Sequence, residues 1–557
     1  MLLPVRVRFY CVVTAILTTI YITHYFWPPV IWFLGPILPL IALGFYDIFQ
    51  TKNNILKNYP VWGHIRSLFL SIRPQIQQYF IVNDQDDRPF NKEMRDLVAS
   101  RANKTLDTLP FGTQLDMDKS GYEWMAHSLQ PCKAKKEGAR VVVGNEQCLN
   151  PYYASRINIS ALSFGALSQN AIRALNLGAK LGDFAQNTGE GGLSRYHLME
   201  GGDLIWQIGT GYFGCRNEDG TFSQENFSKN AQHHHVKMIE IKLSQGAKPA
   251  HGGILPGVKV STEIAYARGV REGVDCNSPP AHSAFSTPKG LLEFVQRLRD
   301  LSGGKPVGFK LCLGVRSDFL SICKAMLELK IYPDFISIDG AEGGTGAAPV
   351  EFADHVGTPL TDALIFIHNA LVGTGLRRHI KLIASGKIIS GFDVLTKIAL
   401  GADMCNVGRG MMFALGCVQA RQCHSNKCPT GVTTQDPRRM YALNIQDKAP
   451  KVANFHKETL HSFLEVLGAA GIEYAEHLTP GHIHRRVGST EEYTYDELYT
   501  YLSENAILEG SAPGEYLISW SSATAEKFAG VRNSDQNMIN HHVYRREVDA
   551  QTLASSS

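Results

Sequence analysis

At 557 residues, with 44% hydrophobic and 19% charged side chains, the chain has the length and composition of a packed globular body of one large barrel or several domains. A formal charge of +3 and the lack of any Lys/Arg-rich run give no sign of a nucleic-acid partner. Eleven cysteines, an odd count with three in one short span, do not form a disulfide framework and fit a reducing compartment.

Residues 9–46 carry no Asp, Glu, Lys or Arg, and Pro28-Pro29 splits them into two apolar arms, Phe9–Trp27 and Val30–Tyr46. As a helix each arm would measure roughly 26–28 Å, just enough to cross a hydrocarbon core. Arg6 and Arg8 precede the first arm, and Lys52, Lys57 and Arg66 follow the second. Basic residues on both flanks predict a transmembrane helical hairpin over residues 1–50, with both ends and the catalytic body on the cytoplasmic side of the cytoplasmic membrane. The run is too long for a signal peptide and no small-residue cleavage site follows it. A hydrophobic hairpin buried in a soluble domain is the other reading. Residues 51–150 are weakly periodic, contain a strand candidate at Arg140–Val143, and are expected to pack on the main domain.

From Ile157 to Arg409 short apolar strands alternate with amphipathic helices. Strands are predicted at Ile157–Ser160, Phe184–Asn187, Met238–Lys242, Pro306–Cys312, Phe335–Asp339, Lys381–Ser385 and Met404–Val407. The fourth strand is expected in the poorly patterned stretch before Pro306, which makes Met238–Lys242 the third. Helices are predicted at Ser168–Leu181, Pro288–Leu301, Asp318–Leu329, Thr361–Leu371 and Gly391–Leu400. This is the rhythm of an α/β (β/α)8 TIM barrel, here over residues 151–440. A doubly wound sheet alternates similarly, but the glycines and polar residues cluster just after the strands, on a barrel's active face. Residues 441–557 form a helical C-terminal extension, with helices at Val452–Leu467 and Tyr493–Leu502 and a polar tail from Ser521.

The strand ends carry the chemistry. Asn187-Thr188-Gly189-Glu190-Gly191-Gly192 sets one acid among glycines, a candidate base or substrate clamp, although such turns are also ordinary. Gln245–Gly257 holds Lys248 between tight turns, either to meet a substrate carboxylate or as a solvated lysine. Lys310 lies inside an apolar strand and needs an anionic partner, which is either an ion pair within the barrel or the N1–C2=O edge of a flavin. Gly343 and Gly344 follow the sixth strand, Ser385-Gly386-Lys387 the seventh, and Gly408-Arg409 the eighth. Glycine turns after strands seven and eight, with Lys387 and Arg409 beside them, predict a phosphate-bearing cofactor. Cys417, Cys423 and Cys428 follow as C-x5-C-x4-C, the last before proline. Three soft thiolate donors in one stretch read as iron–sulfur ligands, suited to a cuboidal cluster lacking one iron, or else as unrelated buried cysteines.

With Ser160-Ala161-Leu162-Ser163-Phe164-Gly165, the Gly-Glu-Gly-Gly turn, Gln245–Pro249, Gly343–Gly346 and the cysteine stretch through Gln435 in order, the chain resembles the synthase domain of glutamate synthase. More closely, it resembles the stand-alone FMN-binding members with an N-terminal hydrophobic hairpin. The resemblance runs from about Arg140 to about Leu467. It implies FMN held by Ser160, Ala161, Leu162, Ser163, Lys310, Gly386 and Gly408, with Gln207 near the ring, and a [3Fe-4S] cluster on Cys417, Cys423 and Cys428. It also gives Glu190 and Lys248 the handling of a 2-oxo acid and its imine, which FMN would reduce to the amino acid, glutamate. The expected chain has no glutaminase domain of its own. Ammonia or an ammonia-supplying partner would bring nitrogen, and a ferredoxin, an NAD(P)H-dependent reductase or a quinone would bring electrons. His251 and Ile254 stand where the family has Glu and Gln, and replacing an amide with isoleucine removes a hydrogen bond of roughly 0.5–1.5 kcal/mol. That departure leaves open a different amino compound as substrate, and the membrane arm leaves open a tethered electron-transfer module.

Overall fold

The computed structural model describes residues 5–528; the remainder of the polar tail, from residue 529, lies outside the described residues. The chain forms two compact units, Met1–Glu93 and Met94–Ser557.

In the first unit, helices Val5–Phe26 and Leu34–Phe49 flank a 3-10 turn over Pro28–Phe33. Paired prolines remove two N–H donors and fix φ, so one helix stops before them and another starts after. Phe9 packs edge-on to Phe45 at 5.6 Å, across the bare backbone of Gly44. Val7–Phe26 and Pro28–Phe49, of 20 and 22 residues, are long and apolar enough to cross a bilayer, and little of either is buried. At the end of the second helix Asp47 is fully buried. Its carboxylate accepts the Val61 N–H at 2.8 Å and faces His64 Nε2 at 2.9 Å, which fixes the start of helix Gly63–Ile76.

The second unit is built on a closed eight-stranded parallel barrel: β1 Ile157–Ile159, β2 Ala185–Asn187, β3 Asp203–Ile208, β4 Val236–Lys242, β5 Val307–Leu311, β6 Phe335–Asp339, β7 Lys381–Ser385 and β8 Met404–Val407. β8 closes on β1 with Asn406 opposite Asn158. The barrel helices, α1–α8 in turn, are Gln169–Gly182, Arg195–Leu198, Gln224–Ala231, Pro288–Leu301, Arg316–Leu329, Leu360–Gly373, Gly391–Ala399 and Arg409–Ala414, with short helices Thr262–Arg268 and Val350–His355 inserted before α4 and α6.

One strand assignment needs correcting. The strand missing from the pattern is the third, Asp203–Ile208, not the fourth, so Met238–Lys242 belongs to β4. Only the four-residue helix Arg195–Leu198 separates β2 from β3, so the usual strand–helix rhythm collapses there. Asp203 and Gln207 also interrupt the apolar run. At the other end, the helix expected over Tyr493–Leu502 shrinks to Tyr495–Leu498. Glu492–Thr494 instead pairs with Ile483–Arg486, which pairs with Glu123–Met125.

Side chains alternate across each strand, so every second residue faces the barrel axis. The lowest inward layer is apolar: Ala185, Ile205, Met238, Phe335, Ile383 and Met404 pack against Val141, Val143 and Ala154. Those last three come from an antiparallel hairpin, Arg140–Val143 with Tyr152–Ser155, that plugs this end. Two residues further along the strands the layer turns polar, with Asn187, Gln207, Glu240 and Ser337. Two further again stand Lys242 and Asp339. Asn444 caps the long helix α9, Ile445–Ala469, which lies on α1 with Val452 over Gly178 and on α7 with Phe463 over Gly391. From α9, His456 stacks on Phe184 at 3.8 Å and its Nε2 meets the Ile157 carbonyl at 3.1 Å; burial pushes it down to about 3, so it stays neutral.

Beneath the sheet Arg299 and Asp334 form a buried ion pair at 3.0 Å. Asp334 also accepts the N–H groups of Val307 and Asn145 at 2.8 and 2.9 Å, tying β5, β6 and the plug loop together. Asp334→Ala strands a buried guanidinium. It should cost about 3–5 kcal/mol of unfolding free energy by urea titration, whereas Lys330→Ala, at an exposed turn, should cost under about 0.5 kcal/mol.

Candidate active site

The C-terminal mouth of the barrel is charged. Gly189, at φ 64°, turns the chain hard against the Ser163 backbone, and Glu190 follows it. The Glu190 carboxylate pairs with Lys242 Nζ at 2.8 Å. Gly209 and Gly253 bring bare backbone against the same side chain from two other loops. Burial opposes its charge, yet Lys242, Lys248 and Arg268 together hold the carboxyl below the usual range. Burial pushes Lys248 down to about 8, with Glu190 holding it up and Lys242 pressing it further down. Arg268, from helix Thr262–Arg268, donates through Nη2 to the Phe164 carbonyl at 3.2 Å. Its buried Nε has no hydrogen-bond partner among the described residues.

Lys310 pairs with Asp339 at 3.0 Å. Burial works against the lysine's charge, but Asp339, Glu240 and Glu190 prevail and raise it. Asp339 also accepts the Gly246 N–H at 3.0 Å, pinning the loop that carries Lys248 across the mouth. Within that loop His251 Nδ1 meets the Gly252 carbonyl at 2.9 Å and its ring lies edge-on to Phe352. Ile254 sits in a two-residue strand paired with Asn277. Below these charges Glu240 accepts from Asn187 Nδ2 at 2.8 Å, Gln207 Nε2 at 2.7 Å and the Ser337 hydroxyl at 2.5 Å. Gln207 thus belongs to the polar layer beneath the mouth.

On the far side of the mouth the ends of β1, β6, β7 and β8 converge. Ser160 Oγ lies 3.5 Å from Ser385 Oγ, the Ser160 N–H donates to the Val407 carbonyl at 3.0 Å, and Gly408 faces Ser160. Arg409 donates to the Glu342 carbonyl at 2.7 Å, with its guanidinium against Gly344. The Glu342 carboxylate in turn accepts the Leu360 N–H at 3.1 Å, at the start of α6. Gly343 closes a tight turn on the Gly340 carbonyl at 2.8 Å, and Lys387 takes the left-handed conformation, φ 48°. Ser160, Gly344, Ser385, Gly408 and Arg409 therefore meet in one place, with Gly386 and Lys387 following Ser385. Ala161, Leu162 and Ser163 run from there towards Glu190.

Beyond α8 the chain enters the cysteine loop, and all eleven cysteines are free thiols. Gln419, Arg421 and Asn426 adopt left-handed φ of 55°, 54° and 60° as the loop coils. Gln435 Nε2 ties it to the Gly165 and Leu167 carbonyls at 3.1 and 2.8 Å, on the loop after β1. Burial pushes Cys417 up to about 12, and the charges of Cys423 and Cys428 add to this. Burial also acts on Cys428, but hydrogen bonds to Thr430 and Thr433 bring it down to about 7. Among the described residues no group of three or more Cys, His, Asp or Glu is drawn close enough to hold a metal ion. Buried Lys259 donates through Nζ to the Ala166 carbonyl at 2.7 Å and the Cys423 carbonyl at 3.3 Å.

Lys242, Asp339, Arg268 and Lys259 were not singled out from the sequence. The first two carried a readable signal: each is a charged residue closing a strand, on the same face as an earlier polar residue of that strand, Glu240 for Lys242 and Ser337 for Asp339. Arg268 and Lys259 come from the excursion between β4 and α4, which has no barrel periodicity.

A family model described as the conserved region in glutamate synthase matches residues 103–473. The glutamate synthase large subunit-like protein YerD of Bacillus subtilis is 37% identical over 490 residues, covering 80% of this chain and 93% of that protein. An archaeal glutamate synthase [NADPH] of Methanocaldococcus jannaschii is 35% identical over 358 residues, covering 64% of this chain and 66% of its own length. Among solved structures, a mandelate oxidase mutant with a monooxide FMN adduct gives a TM-score of 0.36 at 16% identity, covering 64% of this chain and 84% of that one.

A Cβ at position 246 would lie 1.7 Å from the Gly340 carbonyl oxygen, a backbone atom that cannot swing away. Gly246→Ala should therefore break the contact with Asp339, lower stability by about 1–3 kcal/mol in thermal unfolding, and loosen ligand binding at the mouth.

Proposed function

The chain belongs to the glutamate synthase family of oxidoreductases, which act on CH–NH2 donors, and we propose that it binds FMN and converts a 2-oxo acid and ammonia to the 2-amino acid through the 2-imino acid. The observation that carries this reading is Glu190, clamped by Lys242 and surrounded by Lys248 and Arg268 beneath glycine backbone. FMN, when bound, supplies hydride chemistry. Ser160, Gly344, Ser385, Gly408 and Arg409 offer hydroxyls, open backbone and a guanidinium where its phosphate and ring would need them, and Lys310 offers a cation. Lys248 and Arg268 attract the substrate carboxylate, and Glu190, kept charged by its cations, accepts the proton that leaves the substrate nitrogen.

The cysteine loop fits a [3Fe-4S] cluster by its chemistry. It offers three free thiols whose charges influence one another, and a buried ammonium hydrogen-bonded to two carbonyl oxygens. Burial draws Lys259 down to about 8 while Cys423 and Cys428 hold it up, so a negatively charged centre at the thiols stabilises it. Electrons would enter through this loop from a ferredoxin, an NAD(P)H-dependent reductase or a quinone. The apolar hairpin would anchor the enzyme at the cytoplasmic membrane. His251 and Ile254 favour a second reading, a different 2-oxo acid than 2-oxoglutarate, because neither offers the amide or carboxylate of the related loop.

Anaerobically reduced enzyme should be reoxidised, by absorbance of the flavin, on adding ammonium with 2-oxoglutarate or with another 2-oxo acid. Reoxidation by a redox protein alone would refute the amination reading. Lys248 loses its charge as pH rises through about 8, so 2-oxo acid affinity should fall above that pH. Glu190→Gln removes the group that holds Lys248 up. It should move this break to lower pH and cut turnover by about a hundredfold or more, with FMN retained.

Lys259→Met should keep three irons per chain and lower the cluster's midpoint potential in an EPR-monitored titration. The expected drop is roughly 60 mV, the one-electron equivalent of about 1.4 kcal/mol, with Lys259→Arg close to the wild type. A preparation containing zinc and no iron would refute the cluster.

A further inference from the structure

Residues 48–83 contain four Lys/Arg and no Asp or Glu. Within them helix Gly63–Ile76 turns large apolar side chains to solvent, among them Phe69 at 60% exposure, with Trp62 just before it at 75% and Phe80 just after it at 84%. Trp62, Ile65, Phe69, Leu70 and Ile76 recur at helical spacing and line one open groove, and Arg66 and Arg73 stand along the same groove. Those arginines are seven residues apart, two turns on one face, about 10 Å along the axis. A soluble surface does not keep so contiguous an apolar face bare, and an apolar face with cations and no acids matches an anionic lipid surface.

The attachment of this helix says where that surface lies. Asp47 ends the second apolar helix and is buried. It holds the Val61 N–H at 2.8 Å and His64 Nε2 at 2.9 Å, so the amphipathic helix begins at the foot of the apolar hairpin. A carboxyl held between a backbone N–H and an imidazole belongs at the water boundary and not in hydrocarbon. A helix tethered there brings its apolar groove to the end of the hairpin.

We propose that residues 62–81 form an in-plane membrane-docking helix that sinks Trp62, Phe69 and Phe80 among acyl chains and binds the phosphates of anionic phospholipids through Arg66 and Arg73. The proposal rests on the membrane reading of the hairpin and adds a lipid preference to it. The test uses the full chain in nanodiscs of phosphatidylcholine alone and of phosphatidylcholine with phosphatidylglycerol at about 7:3, reading hydrogen exchange of the amides of residues 63–81. Exchange should be about tenfold slower in the discs with phosphatidylglycerol. In Arg66→Gln/Arg73→Gln that difference should vanish while the chain still enters both discs. Equal exchange in the two lipids, with the chain incorporated, overturns the proposal and leaves the hairpin reading standing. A chain that stays out of both discs overturns the hairpin reading and this one together.

Discussion

The structure depends on keeping charged groups inside a closed barrel without leaving any of them uncompensated. Glu240 is the keystone: fully buried, it accepts hydrogen bonds from β2, β3 and β6, and its charge helps to hold the ammonium of Lys310. A carboxyl without partners at that depth would be costly to bury, whereas three donors satisfy its oxygens. Those same donors lock the side chains that face the mouth, so the polar layer acts as the rigid floor of the site.

This floor explains the vertical order of the barrel. An apolar plug closes the lower end, where side chains only have to pack. The polar layer comes next, where Asn187, Gln207 and Ser337 all donate to Glu240. Charges stand at the top, where loops and a ligand complete their environment. The order follows from the two-residue period of the strands. In β4 Met238, Glu240 and Lys242 climb from core to floor to mouth, and in β6 Phe335, Ser337 and Asp339 do the same.

Much of this was legible in the sequence because parallel strands buried on both faces leave apolar runs, and seven of the eight runs stand out. β3 did not, because its helix partner before it is one turn long and its inward Gln207 breaks the run. The glycine turns after β7 and β8, with Arg409 and Lys387, were readable because glycine marks backbone that must approach something closely. Lys310 was readable as a buried cation in need of an anion, but only the fold shows that Asp339 meets it. Arg268 and Lys259 were beyond sequence reasoning: their roles arise where the β4–α4 excursion folds back over the loop after β1, a long-range contact with no local pattern. The cysteine spacing was plain, whereas the buried ammonium beside it became visible only in three dimensions.

The charges at the mouth also say how a ligand should couple to protons. Lys242, Lys248, Arg268 and Lys310 face Glu190 and Asp339, with Glu240 beneath, and of these cations Lys248 is the one that burial brings down to about 8. Lys242 and Lys310 each have a carboxylate within 3.0 Å. Lys248 is held up by Glu190 alone, whose charge Lys242 already engages. An anion arriving beside Lys248 favours its charged form and raises its pKa towards the ordinary lysine range. By linkage, binding of a carboxylate above about pH 8 therefore takes up a proton, and below that pH it does not. The lysine whose charge is least secure in the empty site is thus the one best placed to register that a substrate has arrived.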